Sequence, residues 1–315
     1  MIRRDSGLGA LDMEIRSELI AAHVAETGIS GSSMVVTVFG DAISQHGGWI
    51  WLGSLIDALA PFGYSEGLIR TSAFRLVQQD WLKATRIGRR SHYCFTDSAS
   101  GHYERAAKRI YAAGHREGDG SWTLVLPLYV PAEVRDSLAK SLGWQGYARL
   151  TPGLFAHPAA DQDSLKDTIS ELDLIGKVVV LKATSQELNS LAALKKAARD
   201  KWKLGELQDQ YSAYLDFYRP LTRDFNPQDF TPQQSFWLRT LMIHDYRRIL
   251  LRDPEFPQAM LPSGWLGYRA HELVKRVYRG LAARSVAYIR DTLENAEGPL
   301  PPPSLQFNRR FGGIR

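Results

Sequence analysis

The chain has 315 residues, 44% of them hydrophobic, which is enough for two or three domains with ordinary cores. Its single cysteine, Cys94, excludes an intramolecular disulfide and a multi-cysteine zinc site, and no window approaches the roughly 18 continuous apolar residues of a membrane span. The net charge of +5 is concentrated in residues 65–116, which contain ten Lys or Arg against four Asp or Glu, whereas the remainder contains 29 against 30. This surplus favours contact with phosphates, and the lack of a signal-peptide core predicts a cytoplasmic protein.

The first third of the chain shows the element order of a winged helix-turn-helix domain. Residues 1–32 are an N-terminal extension in which a helix at about Leu11–Ala25 precedes a GISGSS linker, and such a terminal segment is commonly mobile. Three helices, a tight turn and a β-hairpin follow within residues 33–116, which predicts a DNA-binding domain of this class. The predicted helices cover about 34–47, 49–60 and 66–80, the predicted strands cover 81–86 and 91–95, and a further helix covers about 96–113.

The third helix and the hairpin carry the predicted DNA contacts. Ser65 is a good N-cap for this helix, and the apolar face formed by Ile69, Ala73 and Leu76 lies opposite a polar, basic face. Phe74 also points outward, and we expect it to pack under the hairpin or against the next helix, not against a base. The residues predicted to enter the major groove are Arg70, Thr71, Ser72 and Arg75, and those predicted to touch phosphates or the minor groove from the hairpin are Arg86, Arg89 and Arg90. A winged helix can also serve only as a protein-interaction or dimerisation module.

The rest of the chain falls into a mixed segment, a helical segment and a tail. Residues 117–184 have the order β-α-β-β-α-β of a ferredoxin-like domain, and residues 185–297 form an all-helical C-terminal domain. Residues 298–315 are an extended Pro-rich tail, so the fold class is α+β. The predicted strands of the mixed segment are 122–130, 144–150, 154–158 and 177–183, its helices are 131–142 and 163–172, and the C-terminal helices are about 185–203, 204–218, 231–251 and 264–293.

The sequence contains no pattern of common catalytic or metal chemistry. There is no HExxH, spaced Cys/His set, GxSxG, GxxxxGK or strand-linked GxGxxG motif. We therefore predict that the protein is not an enzyme, has no catalytic residue and holds no metal or cofactor.

One helical segment, HDYRRILLRDP at residues 244–254, combines basic and aromatic residues in the manner of a small-molecule site. Its arginines could hold phosphates beside an apolar slot lined by aromatic side chains. The candidate effector-binding residues are Trp237, His244, Tyr246, Arg247, Arg248, Arg252 and Trp265. The alternative is a solvated basic helix face above ordinary core aromatics.

Several short motifs, in one order along the chain, resemble the PaaX family, whose members repress phenylacetic acid degradation. The resemblance covers the chain from about Ser33 to the C-terminus, and residues 1–32 lie outside it. The motifs are FGDAIS (39–44), WLGSL (51–55), IRTSAFRL (69–76), RIGRRSHY (86–93), RIY (109–111), WQGYARLTPGLFAHP (144–158), HDYRRILLRDP (244–254), LPSGWLG (261–267) and RRFGG (309–313).

The resemblance implies a homodimeric bacterial repressor with a winged-helix domain, a central ferredoxin-like domain similar to the Cas2 fold, and a helical C-terminal domain. It also implies binding to palindromic operators in the double-stranded DNA of phenylacetate-catabolic genes, and release by phenylacetyl-CoA or a related acyl-CoA effector. A CoA ester would give the arginines of residues 244–254 phosphates to bind. Two alternatives come from other classes: a CoA-ester-using enzyme, and a nuclease-like central module, which would need a carboxylate on its first strand.

Overall fold

The computed structural model describes residues 18–114, 121–158, 160–184 and 188–314, and the chain divides into two compact units. Residues 185–297, which were predicted to form one helical domain, are divided between the two units. The first unit comprises Met1–Ala113, Pro220–Asp245 and Leu273–Arg315, and the second comprises Gly114–Arg219 and Tyr246–Glu272. No helix in the described ranges is long and apolar enough to span a membrane.

The N-terminal part of the first unit is a winged helix-turn-helix. A helix at residues 18–26, here called α1, precedes it. Its elements are α2 (Gly31–Asp41), β1 (Trp49–Trp51), α3 (Leu52–Leu59), α4 (Glu66–Gln78), β2 (Leu82–Ile87), β3 (Arg90–Phe95) and α5 (Asp97–Ile110). The three strands form one sheet in the order β1-β3-β2. The predicted third helix and hairpin are therefore present, with boundaries shifted by one or two residues.

Strand β1 corrects the prediction of a helix over residues 49–60. Its three residues pair with β3 in antiparallel register, with Trp49 opposite Cys94 and Trp51 opposite His92. The helix begins only at Leu52. A strand of three residues is too short for its alternation to compete with the helical periodicity of the residues that follow it.

The described part of the N-terminal extension is packed against the first unit. Ile20 and Val24, one turn apart on α1, are buried, and Ile29 after the helix is buried as well. The His23 imidazole lies 2.8 Å from the Asp245 carboxylate. The predicted helix is therefore present at residues 18–26, and the alternative of a mobile extension is not supported for residues 18–29. The start of the predicted helix, residues 11–17, lies outside the described residues.

The second unit contains the predicted ferredoxin-like sheet. The elements are β4 (Trp122–Leu126), α6 (Ala132–Trp144), β5 (Ala148–Thr151), β6 (Leu154–His157), α7 (Gln162–Glu171) and β7 (Val179–Ala183). The four strands are antiparallel in the order β5-β6-β4-β7, and the two helices cover one face over a core that includes Val125, Leu138, Phe155 and Leu165. The predicted α+β fold class is confirmed.

The C-terminal third is helical, as predicted, and ends in short elements. The helices are α8 (Leu188–Lys201), α9 (Leu204–Leu221), α10 (Pro232–Leu250) and α11 (Gly267–Thr292), followed by β8 (Glu294–Asn295), β9 (Gly298–Pro299) and α12 (Leu305–Asn308). The tail contains no helix at residues 298–304, which begin with β9, and it then turns through α12 and a 3-10 turn at Arg310–Gly312. The prediction of a wholly extended tail is therefore wrong beyond Ser304, whose side chain caps α12 by accepting a hydrogen bond from the Phe307 N–H.

Candidate nucleic-acid interface

Helix α4 presents a basic outer face. Ser65 caps it by accepting a hydrogen bond from the Leu68 N–H at 3.3 Å, as predicted, and Glu66 in the first turn suits the helix dipole. The side chains of Ile69, Ala73 and Leu76 are buried, so the opposite face is solvent-exposed. Of the four residues predicted to enter the major groove, Arg70, Thr71 and Arg75 are exposed on that face.

The fourth predicted groove residue, Ser72, faces the protein interior. Its side chain is buried, and its hydroxyl oxygen lies 2.6 Å from the position that a Cβ on Gly31 of α2 would take. It therefore helps α4 to pack against α2. Helical geometry explains the correction, because at about 100° per residue Ser72 stands roughly 60° from Ile69 and roughly 40° from Leu76, both on the buried side.

Phe74 lies on the outer face of α4 and is 62% exposed. The expectation that it packs under the hairpin or against the next helix is therefore wrong. The helical periodicity correctly predicted that the Phe74 side chain points outward. Neither the hairpin nor the next helix covers it.

The hairpin of β2 and β3 forms a wing with a basic tip. Ile87 pairs with Arg90, and the two residues between them, Gly88 and Arg89, make the turn. Gly88 has a φ of +60°, a left-handed conformation that glycine adopts without steric cost, and glycine at the first central position is typical of a type II′ hairpin turn. Arg86 and Arg89 are exposed at this tip, as predicted.

Arg90, the third predicted wing contact, has protein partners of its own. Its guanidinium lies 4.1 Å from the centroid of the Trp51 ring, and its Nη1 donates to the Glu294 carboxylate at 2.7 Å. Glu294 belongs to β8, and its backbone N–H donates a hydrogen bond to the Ser54 hydroxyl oxygen of α3 at 3.1 Å. The tip end of β3 is thus fastened to β1 through Trp51 and to the C-terminal strand β8 through Glu294.

A buried ionic cluster joins α2 to α10, α11 and the tail. Asp41, fully buried, accepts hydrogen bonds from the hydroxyls of Tyr111 and Tyr278 at 2.7 and 2.8 Å, and from Arg310 Nη1 at 3.0 Å. Its second oxygen lies 3.0 Å from Arg239 Nη2. Burial alone would raise the pKa of Asp41, but Arg239, Arg310 and the two hydroxyls hold that pKa below its ordinary value. Asp41 is therefore ionised in the folded protein at neutral pH.

The same cluster gives two of the sequence motifs a structural role. Gly40 and Asp41 come from FGDAIS, and Arg310 comes from RRFGG. A side chain at position 40 would overlap the Tyr103 ring, so the glycine allows α5 to approach α2 closely. Sequence reasoning missed this cluster, although a lone acid in the apolar run of α2 was a visible signal.

His46 ties the winged helix to the extended part of the tail. It is buried, and its Nδ1 donates to the Pro301 carbonyl at 2.8 Å. Burial lowers the pKa of His46 to about 4, and the nearby positive charges of Arg239 and Arg310 act in the same direction. The imidazole is therefore neutral in the folded protein.

The neutral state of His46 predicts a loss of stability in mild acid. Below pH 6.5 the unfolded chain takes up a proton on this residue and the folded chain does not until about pH 4, so lowering the pH favours unfolding. We expect protonation of His46 in the unfolded chain to lower the unfolding free energy by about 2 kcal/mol between pH 7.5 and pH 5. The variant His46→Asn keeps an amide that can donate to the Pro301 carbonyl. Its unfolding free energy, measured by urea denaturation, should lack this part of the pH dependence. His102→Asn on the exposed face of α5 should retain it, and equal pH dependence in both variants would contradict the assignment.

The seven candidate effector residues fall into both units. Trp237 and His244 belong to the first, where His244 Nδ1 lies 2.8 Å from the Thr37 hydroxyl of α2. The other five, Tyr246, Arg247, Arg248, Arg252 and Trp265, belong to the second. Neighbouring positions along α10 therefore serve different parts of the molecule.

The aromatic candidates Trp237, Tyr246 and Trp265 are buried, and the last two have ring partners. Tyr246 packs with Tyr214 and lies 3.0 Å from His271 Nδ1, whereas Trp265 packs edge-on against Tyr211. These contacts do not support the predicted slot between the aromatic rings. Of the arginines, Arg248 and Arg252 are exposed, and Arg247 is half-buried.

The combination of an N-terminal winged helix, a four-stranded ferredoxin-like sheet and C-terminal helices defines a multidomain α+β class. Three family models match this order: the PaaX-like protein over residues 30–99, the PaaX protein central Cas2-like domain over 115–194, and the PaaX-like protein C-terminal domain over 202–291. The transcriptional repressor PaaX of Escherichia coli strain K12 is 34% identical over 288 residues, which cover 91% of each chain. The chain therefore belongs to the PaaX family.

Among solved structures, an uncharacterized protein from Mycobacterium tuberculosis resembles the chain at 20% identity. The match covers 81% of this chain and 97% of that one, with a TM-score of 0.48.

Proposed function

We propose that this protein is a cytoplasmic transcriptional repressor that binds double-stranded operator DNA through α4 and the wing. The observation that carries the proposal is the grouping of exposed arginines on two elements of one winged helix: Arg70 and Arg75 on α4, and Arg86 and Arg89 on the wing. Guanidinium groups bind guanine edges and phosphates, which these two elements reach in winged-helix complexes. The similarity to a transcriptional repressor supports repression as the outcome.

The test is binding of the full chain to the DNA upstream of its own gene. Fluorescence anisotropy should give specific binding with a Kd of about 10 nM or tighter. Competitor DNA of unrelated sequence should displace the labelled DNA from the protein only at much higher concentration. The logarithm of the affinity should fall linearly with the logarithm of salt concentration because bound arginines displace counterions. A lack of affinity even in dilute buffer would refute the proposal.

We further propose that the repressor is a homodimer that binds a palindromic site, and that β7 forms part of its interface. Within the described ranges this strand lies at the edge of its sheet and pairs with β4, and its Val179, Val180 and Leu181 are exposed on both faces of the sheet. Ile175 just before it is 72% exposed. An exposed apolar strand at a sheet edge favours pairing with a second strand of the same kind.

Charging this edge is expected to break the dimer. Replacing Leu181 by Lys puts a desolvated charge into the proposed contact, and we expect at least a ten-fold rise in the dimer dissociation constant. Sedimentation velocity measures the dissociation constant, with Leu305→Lys, at a more exposed leucine in the first unit, as the control. If Leu181→Lys sediments like the wild type, β7 is not the interface.

An acyl-CoA, with phenylacetyl-CoA as the first candidate, is the proposed effector. Arg248 and Arg252, four residues apart and exposed at the end of α10, could bind its phosphates. An effector releases DNA only if it binds the DNA-incompetent state more tightly. Titration of phenylacetyl-CoA into a preformed complex should lower the anisotropy at micromolar ligand with the ester intact. Retention of the complex would exclude this inducer, and turnover of the ester would favour a CoA-using enzyme instead.

The nuclease-like alternative finds no support in the first strand of the sheet. It requires a carboxylate there to hold a metal ion, and β4 (Trp122–Leu126) contains neither Asp nor Glu. Among the described residues, no three His, Cys, Asp or Glu side chains lie together as a metal site.

A further inference from the structure

Phe74 is the most exposed large apolar side chain of α4. It stands one helical turn after Arg70 and three residues after Thr71, so all three share one side of the helix. The helix is anchored through its opposite side, where Ile69 and Ala73 are completely buried. Phe74 therefore projects from a fixed platform, and the wing that was expected to cover it leaves it in solvent.

The surroundings of Phe74 decide what kind of surface it meets. Arg70 and Arg75 lie beside it on α4, and Arg86 and Arg89 add positive charge from the wing of the same domain. Arg70 also pairs with Glu66 at 2.6 Å, which leaves the other three arginines to give the frame its positive charge. Such a frame is complementary to a polyanion, and desolvating it against an apolar protein surface would be costly. The occupant that satisfies both the frame and the ring is the major groove of DNA.

Within the major groove, the apolar feature of the base edges is the C5-methyl group of thymine. We infer that Phe74 is a specificity-determining residue that contacts a thymine methyl group in the operator. This inference rests on the proposed function and deepens it. Arg70 and Arg75 supply hydrogen bonds and charge, and Phe74 adds discrimination between thymine and cytosine at one position of each half-site.

The test removes the methyl group without changing base pairing. Footprinting on the upstream DNA defines the bound site, and a set of duplexes then carries uracil in place of one thymine pair at a time. The wild type is expected to lose about four-fold in affinity at one symmetry-related pair, the effect of losing one buried methyl group. Phe74→Ala should bind the thymine duplex more weakly by at least the same factor, and should no longer distinguish thymine from uracil at that pair.

Leu68→Ala is the matched control, because it truncates the other exposed apolar side chain of α4. It should keep the preference for thymine. Equal thymine-to-uracil ratios for the wild type and Phe74→Ala at every position would overturn the inference, and would be the result if Phe74 met a protein partner. A chain that gives no footprint in dilute buffer fails at the proposed function itself, and the inference falls with it.

Discussion

Replacing Asp41 by asparagine is expected to lower the free energy of unfolding of the first unit by about 3 to 5 kcal/mol. The substitution keeps the shape of the side chain but removes the negative charge between Arg239 and Arg310, which lie 3.0 Å from its oxygens. Both guanidinium groups are buried, so their charges would be left without compensation. Urea denaturation at pH 7, followed by circular dichroism, measures the change against a typical total of about 5 to 15 kcal/mol.

Asp57→Asn provides the control, because Asp57 is exposed on α3 of the same unit and its loss should change stability by less than about 0.5 kcal/mol. Since the pKa of folded Asp41 lies below the ordinary value of 3.8, its contribution is complete above that pH and is lost as the pH falls through the folded value. The gap between wild type and Asp41→Asn should therefore stay constant from pH 8 to 5 and shrink in stronger acid. A gap that is already absent at pH 7 would contradict this account of the cluster.

Removing both exposed wing arginines, with Arg86→Ala and Arg89→Ala together, is expected to weaken binding to all DNA sequences on the order of 50-fold near 0.1 M salt. Each arginine that neutralises a phosphate displaces about 0.9 counterion, so the salt slope should fall by nearly two. Binding to operator and to random DNA should weaken almost equally, because phosphates carry no sequence information. Anisotropy titrations at four or five salt concentrations give both quantities.

Two single variants locate this effect. Lys108→Ala removes an exposed positive charge from α5, outside the helix and the wing, and should leave the slope unchanged. Arg90→Ala should cost less than either wing-tip arginine, because Arg90 is already paired with Glu294 at 2.7 Å. If the double variant keeps the wild-type slope, the wing does not touch phosphates.

Local periodicity was sufficient to predict most elements of this fold. The spacing of Ile69, Ala73 and Leu76 located the buried face of α4, and alternation located both strands of the wing. It failed where the decisive contact is not local. Ser72 is held by its approach to Gly31, and β1 exists because Trp49–Trp51 pairs with β3 more than 40 residues later.

The candidate interface and the effector residues also differ in how well the local sequence predicts them. Exposed arginines on one helix and one hairpin can be predicted from their own elements. The roles of residues 244–254 depend on distant partners, as the contact of His244 with Thr37, 207 residues away, illustrates. Asp41 likewise signalled burial as a lone acid in an apolar run, but nothing local identified Arg239 and Arg310 as its partners.

The link between Asp41 and Arg310 also sets the timing of folding during synthesis. The two residues are 269 positions apart, so a ribosome adding about 10 residues per second makes the arginine roughly half a minute after the aspartate. Until then Asp41 of the nascent chain lacks at least one of its two cationic partners, Arg239 and Arg310. The winged helix should therefore reach its full stability only after translation has passed Arg310.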